Sequence, residues 1–161
     1  RTCLVAAVAM ASNYLLGERR FTENLIRDEL RRTNRDETAI GDLKAFLADN
    51  QLHLVTLSGT IDGKPPASLR YWVMERGYPV ICVINRQGED PAFNHAVVVT
   101  GIQAKGGESP TDIITCLDPS LPQAIQNASA AEFGILWERG HHAMMIVVAP
   151  PLNAQPATSG M

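Results

Sequence analysis

The chain has 161 residues, of which 45% are hydrophobic and 19% charged, enough for one globular domain with a sizeable core and short for two. A net charge of −3 gives no basic footprint for nucleic acid or an anionic membrane surface, and no apolar run reaches the roughly 18 residues of a membrane-spanning helix. Three cysteines, Cys3, Cys82 and Cys116, form no close-spaced metal pattern and leave an odd one if two pair, which argues against a disulfide framework.

Residues 2–17 carry a nearly all-apolar pattern, Thr2-Cys3-Leu4-Val5 through Leu15-Leu16-Gly17, with alanines in the middle and a glycine stop. This predicts a buried, closely packed helix with Thr2 as its cap. Two amphipathic helices follow, from Thr22 to Arg32 and from Thr38 to Asn50, and the mixed-sign charge at Glu18, Arg19 and Arg20 and from Arg27 to Glu37 reads as a solvated face. Alternation from Leu52 to Leu57 predicts a half-buried strand, and Ser58-Gly59 with Asp62 to Pro66 a loop.

Ser68 to Arg76 reads as another amphipathic helix, stopped by Gly77. Val80 to Ile84 is a continuous apolar run, as expected of a central strand covered on both faces. Asn85 to Pro91 is a polar loop. Ala96 to Ile102, introduced by Asn94-His95, and Asp112 to Leu117, ending at Asp118-Pro119, predict a hairpin around the turn at 105–110. Ser129 to Trp137 fits a short helix with Glu132 completing a capping box, and Met144 to Val148 fits a last strand. The predicted domain is 1–150, with 151–161 as a disordered tail whose last stretch, from Asn153 on, is frayed. No internal repeat is present.

The sequence holds no GxSxG elbow, phosphate loop, dinucleotide fingerprint or HExxH helix. His141-His142 reads as a surface turn rather than a metal site, and His53 as structural; no metal or other cofactor is expected. What remains is Cys3 at a helix start, His95 opening a strand and Asp118 closing the next. A thiol at a helix N-terminus faces unpaired N–H groups and the positive end of the dipole, which favour the thiolate. The alternative is a Cys3 that is simply core. A thiolate attacks an acyl carbon, an imidazole moves the proton and a carboxylate fixes the imidazole tautomer, so these three residue types in combination suit nucleophilic catalysis. A hairpin turn centred between Gly106 and Gly107 makes His95 and Asp118 direct cross-strand partners on one face. Should that pairing fail, Asn85 at the end of the neighbouring strand is the next candidate.

In these residues the chain resembles the papain-like superfamily, and within it the bacterial cysteine peptidases that cut leader peptides after a double glycine, with their stand-alone relatives. The resemblance spans most of the chain. It rests on Cys3 opening an alanine-rich helix that ends in Tyr-x-x-Gly, on Gly-x-Pro-Val-Ile at 77–81, and on His-x-Val-Val-Val-x-Gly at 95–101. Asp118-Pro119 and the Ser-x-x-Glu-Phe-x-x-x-Trp segment at 129–137 complete it. It implies an α+β papain-like fold, N-terminal helices packed on a C-terminal antiparallel sheet, with Cys3 as nucleophile, His95 as base and Asp118 as orienting acid.

Two departures stand out. The family often has Cys-Gly-Pro where this chain has Cys3-Leu4-Val5, and the family's oxyanion glutamine lies a few residues before the cysteine, where this chain shows only Arg1 and Thr2. The expected activity is hydrolysis of peptide bonds in an extended, leader-like peptide, with a peptide or protein as partner. A catalytically inactive peptide-binding domain of the same fold and a transglutaminase-like acyl transferase are the alternatives. The chain opens on Arg1 rather than methionine, as a processed product or an excerpt does, and a periplasmic, secreted or membrane-associated setting is expected ahead of a cytoplasmic one.

Overall fold

The computed structural model describes residues 2–106 and 109–149, without the side chains of residues 2, 3, 109, 122 and 123. The expected tail at 151–161, the cap at Thr2 and the thiol of Cys3 therefore lie outside the described residues and side chains. Three helices come first, α1 (Thr2–Leu16), α2 (Glu23–Arg32) and α3 (Ile40–Asp49). The strands are β1 (His53–Ser58), β2 (Val80–Ile84), β3 (His95–Gln103), β4 (Ile113–Asp118), β5 (Leu121–Ser129) and β6 (Ala143–Val148), with helix α4 (Ala130–Arg139) between the last two. They form one six-stranded sheet in the order β1-β6-β2-β3-β4-β5, and every pairing is antiparallel. Among the described residues, no helix is long and apolar enough to cross a membrane.

Alternation along the inner strands sends side chains to two separate cores, because successive residues of a strand point to opposite faces. Ile81, Ala96, Val98 and Val147 face the first three helices, where Val5 and Val8 of α1 meet Ile26, Leu43 and Phe46. Cys82, Val97, Val99 and Ile146 face the other way, against Phe133 and Trp137 of α4. This is why Val80–Ile84 reads as an unbroken apolar run: helices cover β2 on both sides. α1 lies against β2, β3 and β6, and its small residues Ala7, Ala9 and Ala11 are buried, which lets the helix approach the sheet closely.

α4 is set by its ends. Ser129 accepts from the Glu132 N–H and the Glu132 carboxylate accepts from the Ser129 N–H, both at 3.1 Å, so the expected capping box forms. At the other end Gly140 lies so close to β2 that a Cβ there would sit 2.1 Å from the Val83 carbonyl oxygen. Trp137 is fully buried and its indole N–H donates to the Ala143 carbonyl at 2.9 Å, tying α4 to the start of β6.

Three expectations need correction. The segment at 68–76 is helical but wound as a π-helix over Tyr71–Glu75. Residues 121–128, given no element by their pattern, form with Ser129 the edge strand β5; an edge strand meets solvent, and exposed Leu121 and Ile125 blur the alternation that reveals a strand. The hairpin register is also different. Val98 faces Leu117 and Val99 faces Cys116, while Gly101 faces Thr115, with an irregularity between them. Gln103 faces Ile113, so next to the turn the ladder already lies three places off the symmetric register, and the extra residue on β3 brings it to two places off at Val98 and Leu117.

Candidate active site

The site forms at the end of the sheet where β3 begins and β4 ends. Asn85, fully buried just beyond β2, organises the loop that leads there. Its amide N–H group donates to the Asp90 carbonyl at 2.8 Å and to Asn94 Oδ1 at 3.1 Å, and its Oδ1 accepts from the Gln87 N–H at 2.8 Å. Its main chain is held as well, the N–H donating to the Leu136 carbonyl at 3.1 Å and the carbonyl accepting from Arg139 Nη1 at 3.3 Å. One buried amide thus closes the 85–94 loop from within, and the chain re-enters the sheet at His95, opposite Ile84. A polar side chain this buried is tolerable because its groups are paired.

Asp118 is the last residue of β4 and is 4% exposed. Continuing the register from Val98 and Leu117, Asp118 stands opposite Val97, so His95 is its diagonal neighbour on the same face rather than its direct partner. The side chains bridge the diagonal, and His95 Nε2 lies 2.7 Å from Asp118 Oδ1. The same oxygen accepts from the Ser120 N–H at 2.9 Å and the Ser120 hydroxyl at 2.6 Å. Burial pushes the Asp118 carboxyl up, but the Ser120 hydroxyl and N–H and the His95 ring outweigh it and hold it below its ordinary value. An ionised carboxylate is acceptor-only, so Nε2 is the donor of this pair and Nδ1 is the ring nitrogen that can take a proton from a nucleophile.

Cys3 falls in the first turn of α1, and the next residue, Leu4, lines a cavity of about 400 Å³ together with Asn94, His95 and Ala96. The first turn of α1 and the start of β3 therefore wall one cleft. The other two thiols are excluded from it by depth. Cys82 is fully buried and burial pushes its thiol well up, while Cys116, 4% exposed, is raised by burial and by the nearby Asp118 carboxylate against the lowering effect of Arg86. Buried, apolar thiols are inert.

Of the remaining histidines, His53 is exposed on edge strand β1. His141 and His142 form the turn between α4 and β6 with φ of 62° and 55°, His142 meeting Trp137 edge-on at 5.3 Å between ring centroids. Among the described residues, no group of three or more His, Cys, Asp and Glu side chains could hold a metal ion. Ser120 is the residue that sequence reasoning passed over. Its signal was present, since Asp-Pro-Ser is a turn in which the aspartate accepts from the backbone two residues on.

The fold is that of a cysteine-peptidase domain. The chain is similar to the crystal structure of the peptidase domain of Streptococcus ComA, a bi-functional ABC transporter involved in a quorum-sensing pathway, with a TM-score of 0.59, 16% identity and 93% of each chain covered. No curated protein matches the chain significantly. The model of the Peptidase C39-like family matches residues 1–145, and the chain belongs to that family.

Proposed function

We propose that this protein is a cysteine endopeptidase that hydrolyses peptide bonds in an extended, leader-like peptide through Cys3, His95 and Asp118. The observation that carries this reading is the 2.7 Å contact of His95 Nε2 with Asp118 Oδ1, His95 lining one cavity together with Leu4 of the first turn of α1. In this mechanism Nδ1 of His95 takes the Cys3 proton and the thiolate attacks the substrate carbonyl. The resulting imidazolium is stabilised by Asp118 and returns the proton to the leaving amine, and water then releases the acyl group. The positive end of α1 favours both the thiolate and the oxyanion that follows it.

The peptide would lie extended between the helical wall and the sheet end, adding main-chain hydrogen bonds as peptide-binding clefts commonly do. The test is turnover of a mixed peptide substrate by the wild-type protein and by Cys3→Ala, with folding followed by circular dichroism. Loss of hydrolysis in a folded variant supports the reading. Equal turnover ends it, and transfer of the acyl group to an added amine in preference to water would make the protein an acyl transferase instead.

A further inference from the structure

A second cavity also touches His95. It measures about 300 Å³ and is walled by Arg86, Gln87, Ala92, Phe93, Asn94 and His95, so its wall comes from the 85–94 loop and the first residue of β3. Asn94 and His95 line the cavity beside Leu4 as well, and the two cavities are therefore neighbours. Among the described residues no carboxylate belongs to this second wall, although the loop holds two. The Asp90 side chain is used by its own turn, accepting from the Ala92 N–H at 3.0 Å, and Glu89 lines a different cavity with Glu138 and Arg139.

The wall carries donors without matching acceptors. Arg86 is exposed, and its Nη2 donates to Gln126 Oε1 of β5 at 2.9 Å. Among the described residues that guanidinium has no carboxylate partner, and a fork of five N–H donors held by one neutral amide keeps donors to spare. The orientation of the Asn94 amide follows from its neighbour. Asn85 is fixed by two main-chain groups, donating to the Asp90 carbonyl and accepting from the Gln87 N–H, so the group it turns to Asn94 is an N–H. Asn94 thus accepts through Oδ1, and its Nδ2 is turned away from Asn85 with no partner among the described residues.

Resting on the peptidase reading above, we propose that this cavity binds a carboxylate of the peptide substrate, carried by an acidic side chain or by the C-terminus of the peptide. An arginine fork matches the two oxygens of a carboxylate, and the bonds it makes are charge-assisted. The Asn94 N–H group adds a neutral donor from the same wall, and exposed Phe93 offers apolar surface to the carbon stem. A lysine or arginine of the substrate would instead meet a like charge with no carboxylate in the wall to offset it. The fully buried Asn85 fixes the loop that carries both donors, so they are in place before the peptide arrives.

Cleavage of a proteome-derived peptide library, with the cut bonds read by mass spectrometry, tests this. The expected result is either enrichment of aspartate and glutamate over asparagine and glutamine at one fixed position, or cuts gathered at one fixed distance from peptide C-termini. Repeating the digestion with the C-termini amidated separates the sources: the pattern persists for a side chain and disappears for a terminal carboxylate. Arg86→Gln is expected to reduce the preference roughly tenfold, the size of one hydrogen bond to a charged group, with the circular dichroism spectrum kept. Arg86→Glu should turn it toward lysine and arginine. Absence of both patterns in the wild type, or a pattern that Arg86→Gln leaves unchanged, overturns the proposal. If no bond is cut, the peptidase reading fails, and the site is then judged by binding alone. A fluorescent peptide with glutamate at one position, its glutamine counterpart, and the latter with a free or amidated C-terminus are titrated against Cys3→Ala. Tighter binding of a carboxylate form that is lost in Arg86→Gln upholds the site, and equal affinities overturn it.

Discussion

His95 and Asp118 meet across a diagonal of the β3–β4 ladder, with Nε2 and Oδ1 2.7 Å apart, although neither is the other's direct partner in the register. The diagonal places about 7–8 Å between the backbones, a span that two inward-leaning polar side chains close. It also leaves Asp118 free to accept from Ser120 across the tight turn into β5, so three donors converge on one carboxylate oxygen.

If the carboxylate fixes the imidazole, Asp118→Asn keeps the fold and cuts turnover about 10²- to 10⁴-fold, since an amide no longer favours the working tautomer or its charged form. Steady-state turnover of a peptide substrate checks this. Near-normal activity would remove Asp118 from the site and turn attention to Asn85.

The Asp118 carboxyl is held below its ordinary value, burial opposing and Ser120 and His95 prevailing. A carboxyl depressed in the folded state contributes stability that is present above the unfolded value, near 3.9, and is lost as pH falls through the folded value. The stability advantage of the wild type over Asp118→Asn, measured by denaturant unfolding, should be full at pH 7 and shrink below about pH 4. A gap that stays constant over that range would mean the carboxylate is not selectively stabilised.

A methyl group on Gly140 would sit 2.1 Å from the Val83 carbonyl oxygen. Backbone on both sides cannot yield cheaply, so Gly140→Ala is expected to lower stability by about 1–3 kcal/mol by shifting α4 away from β2. Chemical denaturation measures the loss, and unchanged stability would mean that α4 packs more loosely than the structure has it.

Much of this was legible in the sequence because its signals are strong and local. The alanine-rich run after Cys3, the unbroken Val80–Ile84 and the Ser129–Glu132 box each admit few readings, and each forms the expected element. The His95 and Asp118 contact was legible through topology, as a hairpin brings the end of one strand to the start of the other. Its register was not, because the connection includes a short helical turn at Ser109–Thr111 that centres the hairpin beyond the two glycines, so that Gln103 faces Ile113, and the irregularity between Val99 and Gly101 shifts the ladder once more. β5 and Ser120 were missed together: both belong to the turn and edge beyond Asp118, where exposed Leu121 and Ile125 hide the strand period.

The central claim, that Cys3 and His95 act as one nucleophile, is tested most directly by the pH dependence of alkylation of Cys3 in the wild type and in His95→Ala. Modification is located by mass spectrometry. With a helix N-terminus and an imidazolium both favouring the anion, Cys3 should react with a thiolate titrating below the ordinary value near 8.5. Buried Cys82 and Cys116 should stay unlabelled, and the titration should move up in His95→Ala. A Cys3 that titrates near 8.5 in both proteins, or that labels no faster than the two buried thiols, would contradict the account.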